Sequence, residues 1–203
     1  MKASNILLLP GWQNSGPDHW QSLWEARHGY HRVEQHDWMR PLRGDWSARL
    51  EETVVDADGP VVLVAHSLGC ILTAWWAAHS PNAHRVQGAL LVAPGDVERP
   101  DLAAQIHGWA PIARQPLPFP SVLVGSRNDR IAVMSAPKAW ARPGAHALST
   151  AAHAATSMRN LAWATGPKAM AGSVRSLRVK REVGLLAQVH RHRIGGCACA
   201  TQA

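Results

Sequence analysis

The stretch Val61-Val-Leu-Val-Ala-His-Ser67-Leu-Gly69-Cys-Ile-Leu72 decides the reading of this chain. Val61 to Ala65 is an unbroken apolar and β-branched run, the pattern of a strand buried on both faces in a parallel sheet. Leu68 to His79 continues as an apolar helix that stops at Ser80-Pro81. Ser67 stands at the turn between them, with Ala65 two residues before it and Gly69 two after. This is an Ala-x-Ser-x-Gly form of the Gly-x-Ser-x-Gly turn, in which small residues let strand and helix close around a strained serine. Such a turn lifts the hydroxyl above the carboxyl edge of the sheet. It also aims the Leu68 backbone N–H and the helix N-terminus at a developing oxyanion. A free serine hydroxyl is a weak nucleophile, so these neighbours are what make Ser67 a candidate for one.

Outward from this turn, strands alternate with helices. Asn5 to Leu9 reads as a buried strand ended by Pro10-Gly11, and Asp18 to His28 as a helix with Trp20, Leu23, Trp24 and Arg27 at helical spacing and Asp18 as N-cap. A weak strand is expected over His31 to Asp37. A helix follows from Asp45 to Asp56, with Trp46, Leu50, Thr53 and Val54 on one face before Asp58-Gly59-Pro60 breaks it. Val86 to Ala93 and Ser121 to Gly125 are further strands. The alternation predicts an α/β class with a mostly parallel sheet, and 203 residues suit one domain.

Two further site residues follow from position. The second oxyanion donor in such an arrangement comes from a loop after an earlier strand, and Pro10-Gly11-Trp12-Gln13 supplies one, with the Trp12 N–H as donor. The acid should follow a later strand, and Ser121-Val-Leu-Val-Gly-Ser-Arg-Asn-Asp129 runs a strand directly into Asp129. Ser67 before Asp129, with a histidine still to come, is the α/β-hydrolase chain order. His66 is read as structural rather than as the base. Trp12, Trp20, Trp24, Trp38 and Trp46 are read as core and cleft lining.

The formal net charge of +7 is unevenly spread. Met1 to Asp129 holds 10 Lys/Arg against 13 Asp/Glu, whereas Arg130 to Ala203 holds 11 Lys/Arg against Glu182 alone. The strand rhythm also stops at Asp129, so residues 130–203 read as a basic, partly disordered tail behind a core of residues 1–129. Arg175 to Arg181 and His190 to Arg193 lack the interleaved aromatics of a nucleic-acid surface, and no nucleic-acid partner is expected. Cys197-Ala-Cys199 with His190 and His192 matches no standard zinc spacing. Neither metal nor cofactor is expected. No apolar run is long enough for a membrane span, and the start resembles a strand rather than a signal peptide. Three cysteines without a framework suggest a reducing compartment, so a cytoplasmic location is expected.

Leu-Pro-Gly-Trp-Gln-Asn-Ser-Gly-Pro-Asp-His-Trp at residues 9–20, Ala65-His-Ser-Leu-Gly69 and Val-Gly-Ser-Arg-Asn-Asp ending at 129 together resemble the small serine hydrolase family of the retinoblastoma-binding-protein type. The resemblance covers residues 5–129. It implies a compact, capless α/β-hydrolase acting on small esters or amides, with Ser67 as nucleophile and Asp129 orienting a histidine. In that family Pro-Tyr-Cys-Ser follows the aspartate, and the histidine lies in Gly-His-Ile-Asn-Ala-Glu-Ser-Gly-Leu-Gly-Asp-Trp-Pro-Glu-Gly. Neither stretch is present here. Both are expected one base out of register. DNA encoding the histidine stretch, with one more His, can be read from its second base as Ala-Thr-Ser-Met-Arg-Asn-Leu-Ala-Trp-Ala-Thr-Gly-Pro-Lys-Ala-Met, the residues at 155–170. Pro-Tyr-Cys-Ser-His-Glu-Arg-Ala-Gln-Gly-Leu shifts in the same way to Arg130 through Trp140. One lost base after the Asp129 codon accounts for both. On this reading the catalytic histidine is missing, and His146 and His153 are products of the shifted frame. An elbow without its base retains a rate on the order of 10³ to 10⁴ over water. The rival expectation is a pseudo-hydrolase, a binding module with a basic tail.

Overall fold

The computed structural model describes residues 1–103, 105–125, 140 and 147–149. Its sheet uses β1 (Ile6–Leu9), β2 (His31–Arg32), β3 (Val61–His66), β4 (Val86–Val92), β5 (Ser121–Gly125) and β6 (Ala147–Ser149). They lie in the order β2-β1-β3-β4-β5-β6, with every neighbouring pair parallel. The helices are α1 (Trp20–His28), α2 (Arg43–Asp56), α3 (Leu68–His79) and the single turn α4 (Pro100–Ala103). The α/β class and the parallel sheet expected from the sequence are both present.

Side chains alternate across a strand, so a strand buried on both faces must be apolar at every position. In β1, Leu7 and Leu9 join a core cluster with Trp46, Leu50, Ile71 and Trp76, while Ile6 and Leu8 join another with Trp20, Trp24 and Tyr30. In β3 the same division separates Val61, Leu63 and Ala65 from Val62 and Val64. Thus α2 and α3 cover one face and α1 the other. Right-handed crossovers require this arrangement, because the chain steps from β1 to β2 in one direction and from β3 to β4 in the opposite one. The reversal places a crevice between the carboxyl ends of β1 and β3, where open parallel sheets bind ligands.

Several boundaries differ from the sequence reading. The cap of α1 is His19, whose ring nitrogen accepts from the Gln21 N–H, rather than Asp18. The weak strand expected to Asp37 ends at Arg32, since the chain then turns into a loop held from outside. The helix expected from Asp45 begins at Arg43. The sheet also gains a strand the sequence did not signal. Ala147–Ser149 pairs in parallel with Leu123–Gly125, and a run of three residues with one large apolar side chain carries no periodicity to detect. Trp140 is buried, donates its indole N–H to the Ala113 carbonyl at 2.7 Å, and accepts on its carbonyl from the Ser121 hydroxyl at 2.8 Å.

Candidate active site

Ser67 follows β3 directly and caps α3 with φ 50° and ψ −116°, a backbone conformation that a Cβ strongly disfavours. Its N–H donates to the Val92 carbonyl at 3.0 Å, and its carbonyl accepts from the Cys70 N–H at 3.0 Å. Those two bonds fasten the strained residue to the end of β4 and to the first turn of α3. Among the described residues the non-glycine positions with positive φ are Gln13, Asn14, Ser67 and Ala93. All of them lie in the loops that leave β1, β3 and β4 at the carboxyl edge. Each such residue costs of order 1–3 kcal/mol and persists only where its surroundings over-determine it.

Three glycines surround this turn. A Cβ on Gly11 would stand 2.8 Å from the Ser67 Cβ, and one on Gly95 would stand 3.3 Å from the Ser67 Oγ. A Cβ on Gly69 would stand 2.8 Å from the Pro10 carbonyl oxygen and closer still to that of Leu9. The loop after β1 and the loop after β4 therefore both press on the serine. Gly11 and Gly69 belong to motifs read from the sequence. Gly95, after the strand ending at Val92, becomes a site residue only in space.

Of the two backbone groups expected to hold an oxyanion, that of Leu68 directly follows the serine, and that of Trp12 follows Gly11, the glycine whose added Cβ would meet the Ser67 side chain. Leu68 is the first residue of α3, where a backbone N–H has no intrahelical acceptor. Trp12 follows Gly11 in a turn closed by the Asn14 N–H on the Gly11 carbonyl at 3.1 Å. Its indole N–H donates to the Met39 carbonyl at 3.0 Å, and the Gln13 N–H donates to the Trp38 carbonyl at 3.0 Å. The segment after β2 thus buttresses this turn. Trp46 and Trp109 hold the same segment by indole bonds to the carbonyls of Asp37 and Pro41. Of the tryptophans expected in core or cleft, Trp20, Trp24 and Trp46 are buried, while Trp12 and Trp38 pack partly exposed against the core.

Beneath the turn lies a polar cluster that the sequence reading missed. Gln21 is fully buried, and its side-chain amide donates to the carbonyls of Leu9 at 3.2 Å and Val64 at 3.0 Å. Arg32 is buried and binds Glu25, Ser22, the Asn14 side chain and the Ser15 carbonyl. Polar residues with backbone partners leave no pattern in a sequence. The only hint was Gln21 on the apolar side of a helix, next to Trp20.

His19 packs its ring 4.7 Å from that of His66, which precedes the serine. Burial, and secondarily the Arg32 charge, push its pKa down from 6.5 to about 4. A histidine depressed on folding contributes stability that is fully present above its unfolded pKa and is lost as pH falls through its folded one. His19→Gln is expected to flatten the fall in the urea midpoint between pH 6.5 and 4, relative to the unsubstituted chain. Parallel pH profiles for the two proteins would count against this placement of His19.

Asp129 lies outside the described residues, as do His146 and His153; β5, the strand that leads toward Asp129, ends at Gly125. Among the described residues, no group of three or more His, Cys, Asp or Glu is disposed to hold a metal ion, and no helix is long and apolar enough to cross a membrane.

The comparisons with known proteins agree with this fold. A family model described as serine hydrolase matches residues 6–170. The fold is similar to that of a Pectobacterium atrosepticum protein described as a YdeN-like hydrolase. That likeness has a TM-score of 0.57 at 23% identity and covers 78% of this chain and 89% of the other. It is also similar to a Xanthomonas campestris protein assigned to the hydrolases of the α/β superfamily. Here the TM-score is 0.50 at 22% identity, covering 77% and 92% of the two chains. No curated protein matches the chain.

Proposed function

The chain belongs to the serine hydrolase family, and from that premise we propose that its fold is built to hydrolyse small carboxylic esters or amides, in the manner of the retinoblastoma-binding-protein type. Ser67 attacks the substrate carbonyl, and the Trp12 and Leu68 N–H groups receive the negative charge that develops on its oxygen. Asp129 orients a histidine whose codon is read out of register in this chain. The reaction uses no cofactor, and the protein works on a small molecule in the cytoplasm.

The observation that carries the reading is the Ser67 backbone, held at φ 50° and ψ −116° between a buried strand and an apolar helix, with Gly11 and Gly95 closing on it and Gly69 letting the helix pass the end of β1. An ordinary serine N-cap sits in the extended region and accepts a bond from its own helix. Ser67 does neither: its hydroxyl makes no capping bond. That hydroxyl is left for chemistry. The break in charge at Asp129 and the register of residues 155–170 support the displaced histidine.

A fluorophosphonate probe forms a covalent bond with an activated serine. It is expected to label a protein whose reading frame is restored after Asp129, on Ser67, and to leave Ser67→Ala of that protein unlabelled. The unrestored chain should label at least about 100-fold more slowly, because a nucleophile without its base loses several orders of magnitude. Absence of labelling in the restored protein would defeat the hydrolase reading. Source DNA that reads in frame through the Asp129 codon, with no Gly-His-Ile-Asn in the neighbouring frame, would defeat the displaced histidine alone.

A further inference from the structure

The loop after β1 contains two consecutive left-handed non-glycine residues, Gln13 at φ 68° and Asn14 at φ 65°. Strain of this kind needs a structure that enforces it, and the structure here is polar and buried. Gln21 uses its whole amide. Both donors go to backbone carbonyls, of Leu9 at the end of β1 and of Val64 in β3, and the oxygen accepts from the Ser15 hydroxyl at 2.9 Å. Leu9 immediately precedes Pro10-Gly11-Trp12, and Val64 precedes the serine turn by three residues. One side chain therefore spans the two strands that deliver the two oxyanion donors.

Arg32 completes the hold from the other side. Its guanidinium donates to the Asn14 Oδ1 at 2.5 Å and to the Ser15 carbonyl at 3.2 Å, while the Ser22 hydroxyl donates to that same carbonyl at 2.9 Å. The Asn14 Oδ1 also accepts from the Ser15 N–H at 2.7 Å. The Arg32 charge is balanced by the Glu25 carboxylate at 2.5 Å. Ser15 is thus gripped through its N–H, its carbonyl and its hydroxyl. Buried networks of this sort are rigid when every member is satisfied.

We propose that Gln21 is a positioning residue of the active site: by bridging Leu9, Val64 and Ser15, it sets the spacing between the Trp12 and Leu68 N–H groups, with Arg32 fixing the loop that carries Trp12. The proposal rests on the Ser67 reading for its chemical meaning. An oxyanion gains from donors only where they are preorganised, and a displacement of about 1 Å costs about 100-fold in rate.

Gln21→Met keeps the volume of the side chain and removes all three bonds. In the full chain, amide ¹H–¹⁵N shifts of Trp12 and Leu68 are expected to move, while those of Leu50 in α2 and Val54 beside it stay in place. In the frame-restored protein, labelling of Ser67 by the fluorophosphonate should slow about 100-fold. Ser15→Ala removes only the hydroxyl bond to Gln21, and it serves if Gln21→Met fails to fold. It is expected to shift the Trp12 amide and slow labelling by a smaller factor. Unmoved Trp12 and Leu68 amides, or shifts spread evenly through α2 and α3, would overturn the proposal. Localised shifts in a protein that never labels would uphold the positioning and place the failure with the hydrolase reading.

Discussion

Gly69→Ala is expected to lower stability by about 3 kcal/mol, the largest loss from an alanine at any of the described glycines. Gly69 lies in the first turn of α3, where the helix passes the end of β1. A Cβ there would lie 2.8 Å from the Pro10 carbonyl oxygen and 2.9 Å from the Leu9 carbonyl carbon. Both obstacles are backbone, so no rotamer change relieves the clash. Moving α3 outward is no easier, because Cys70, Ile71, Leu72 and Trp76 are packed into the core. Moving β1 outward would pull Leu9 from the Gln21 amide. For a domain of this size, each kcal/mol shifts the melting temperature by about 2–4 °C, so the loss should reach about 10 °C. Gly44→Ala is the control. Gly44 lies in the first turn of α2 with nothing within 4 Å of its added Cβ, so alanine there should leave stability unchanged or raise it by up to about 1 kcal/mol. Urea midpoints with unchanged m-values measure both. Near-equal midpoints for the two variants would mean that α3 and β1 can separate at little cost.

The same contact shows what a sequence can reveal about this fold and what it conceals. Ala65, Ser67 and Gly69 were legible because a strand-to-helix turn around a serine demands small residues at fixed offsets, and α3 runs from Leu68 to His79 as its apolar pattern predicts. The turn at Pro10-Gly11 was legible for a similar reason, since it ends an apolar run. The enforcement of that turn was not. Gln21 acts on backbone carbonyls from residues 12 and 43 positions away, and Arg32 acts on a carbonyl 17 positions away. Any sequence places carbonyls everywhere, so such bonds have no signature. Gly95 escaped for a related reason: it touches the serine only because β4 lies beside β3 in the sheet. The cap of α1 went to His19 over Asp18 because the ring is held against His66 and Trp20, and tertiary contacts outweigh the small difference between capping residues. The strand Ala147–Ser149 depends on pairing with β5 rather than on its own composition.

Ser67→Gly is expected to abolish fluorophosphonate labelling of the restored protein completely and yet to raise the stability of the fold by about 1 kcal/mol. The two effects share one cause. At φ 50° and ψ −116° the Cβ of any L-residue is crowded by its own backbone, a cost of order 1–3 kcal/mol that glycine does not bear. Against this gain stands the greater freedom of glycine in the unfolded chain, roughly 0.5–1 kcal/mol, so the net stabilisation is the smaller part of the strain. Ser67→Ala separates the two contributions. It removes the hydroxyl but keeps the Cβ, so it should lose labelling just as completely while melting close to the unsubstituted chain. Ser67→Gly should therefore melt about 2–4 °C above Ser67→Ala. The opposite order would mean that the Ser67 side chain contributes more through its packing between the loops than its backbone costs. In that case the turn would be an ordinary structural one, and strain could no longer be offered as a reason to find a nucleophile there.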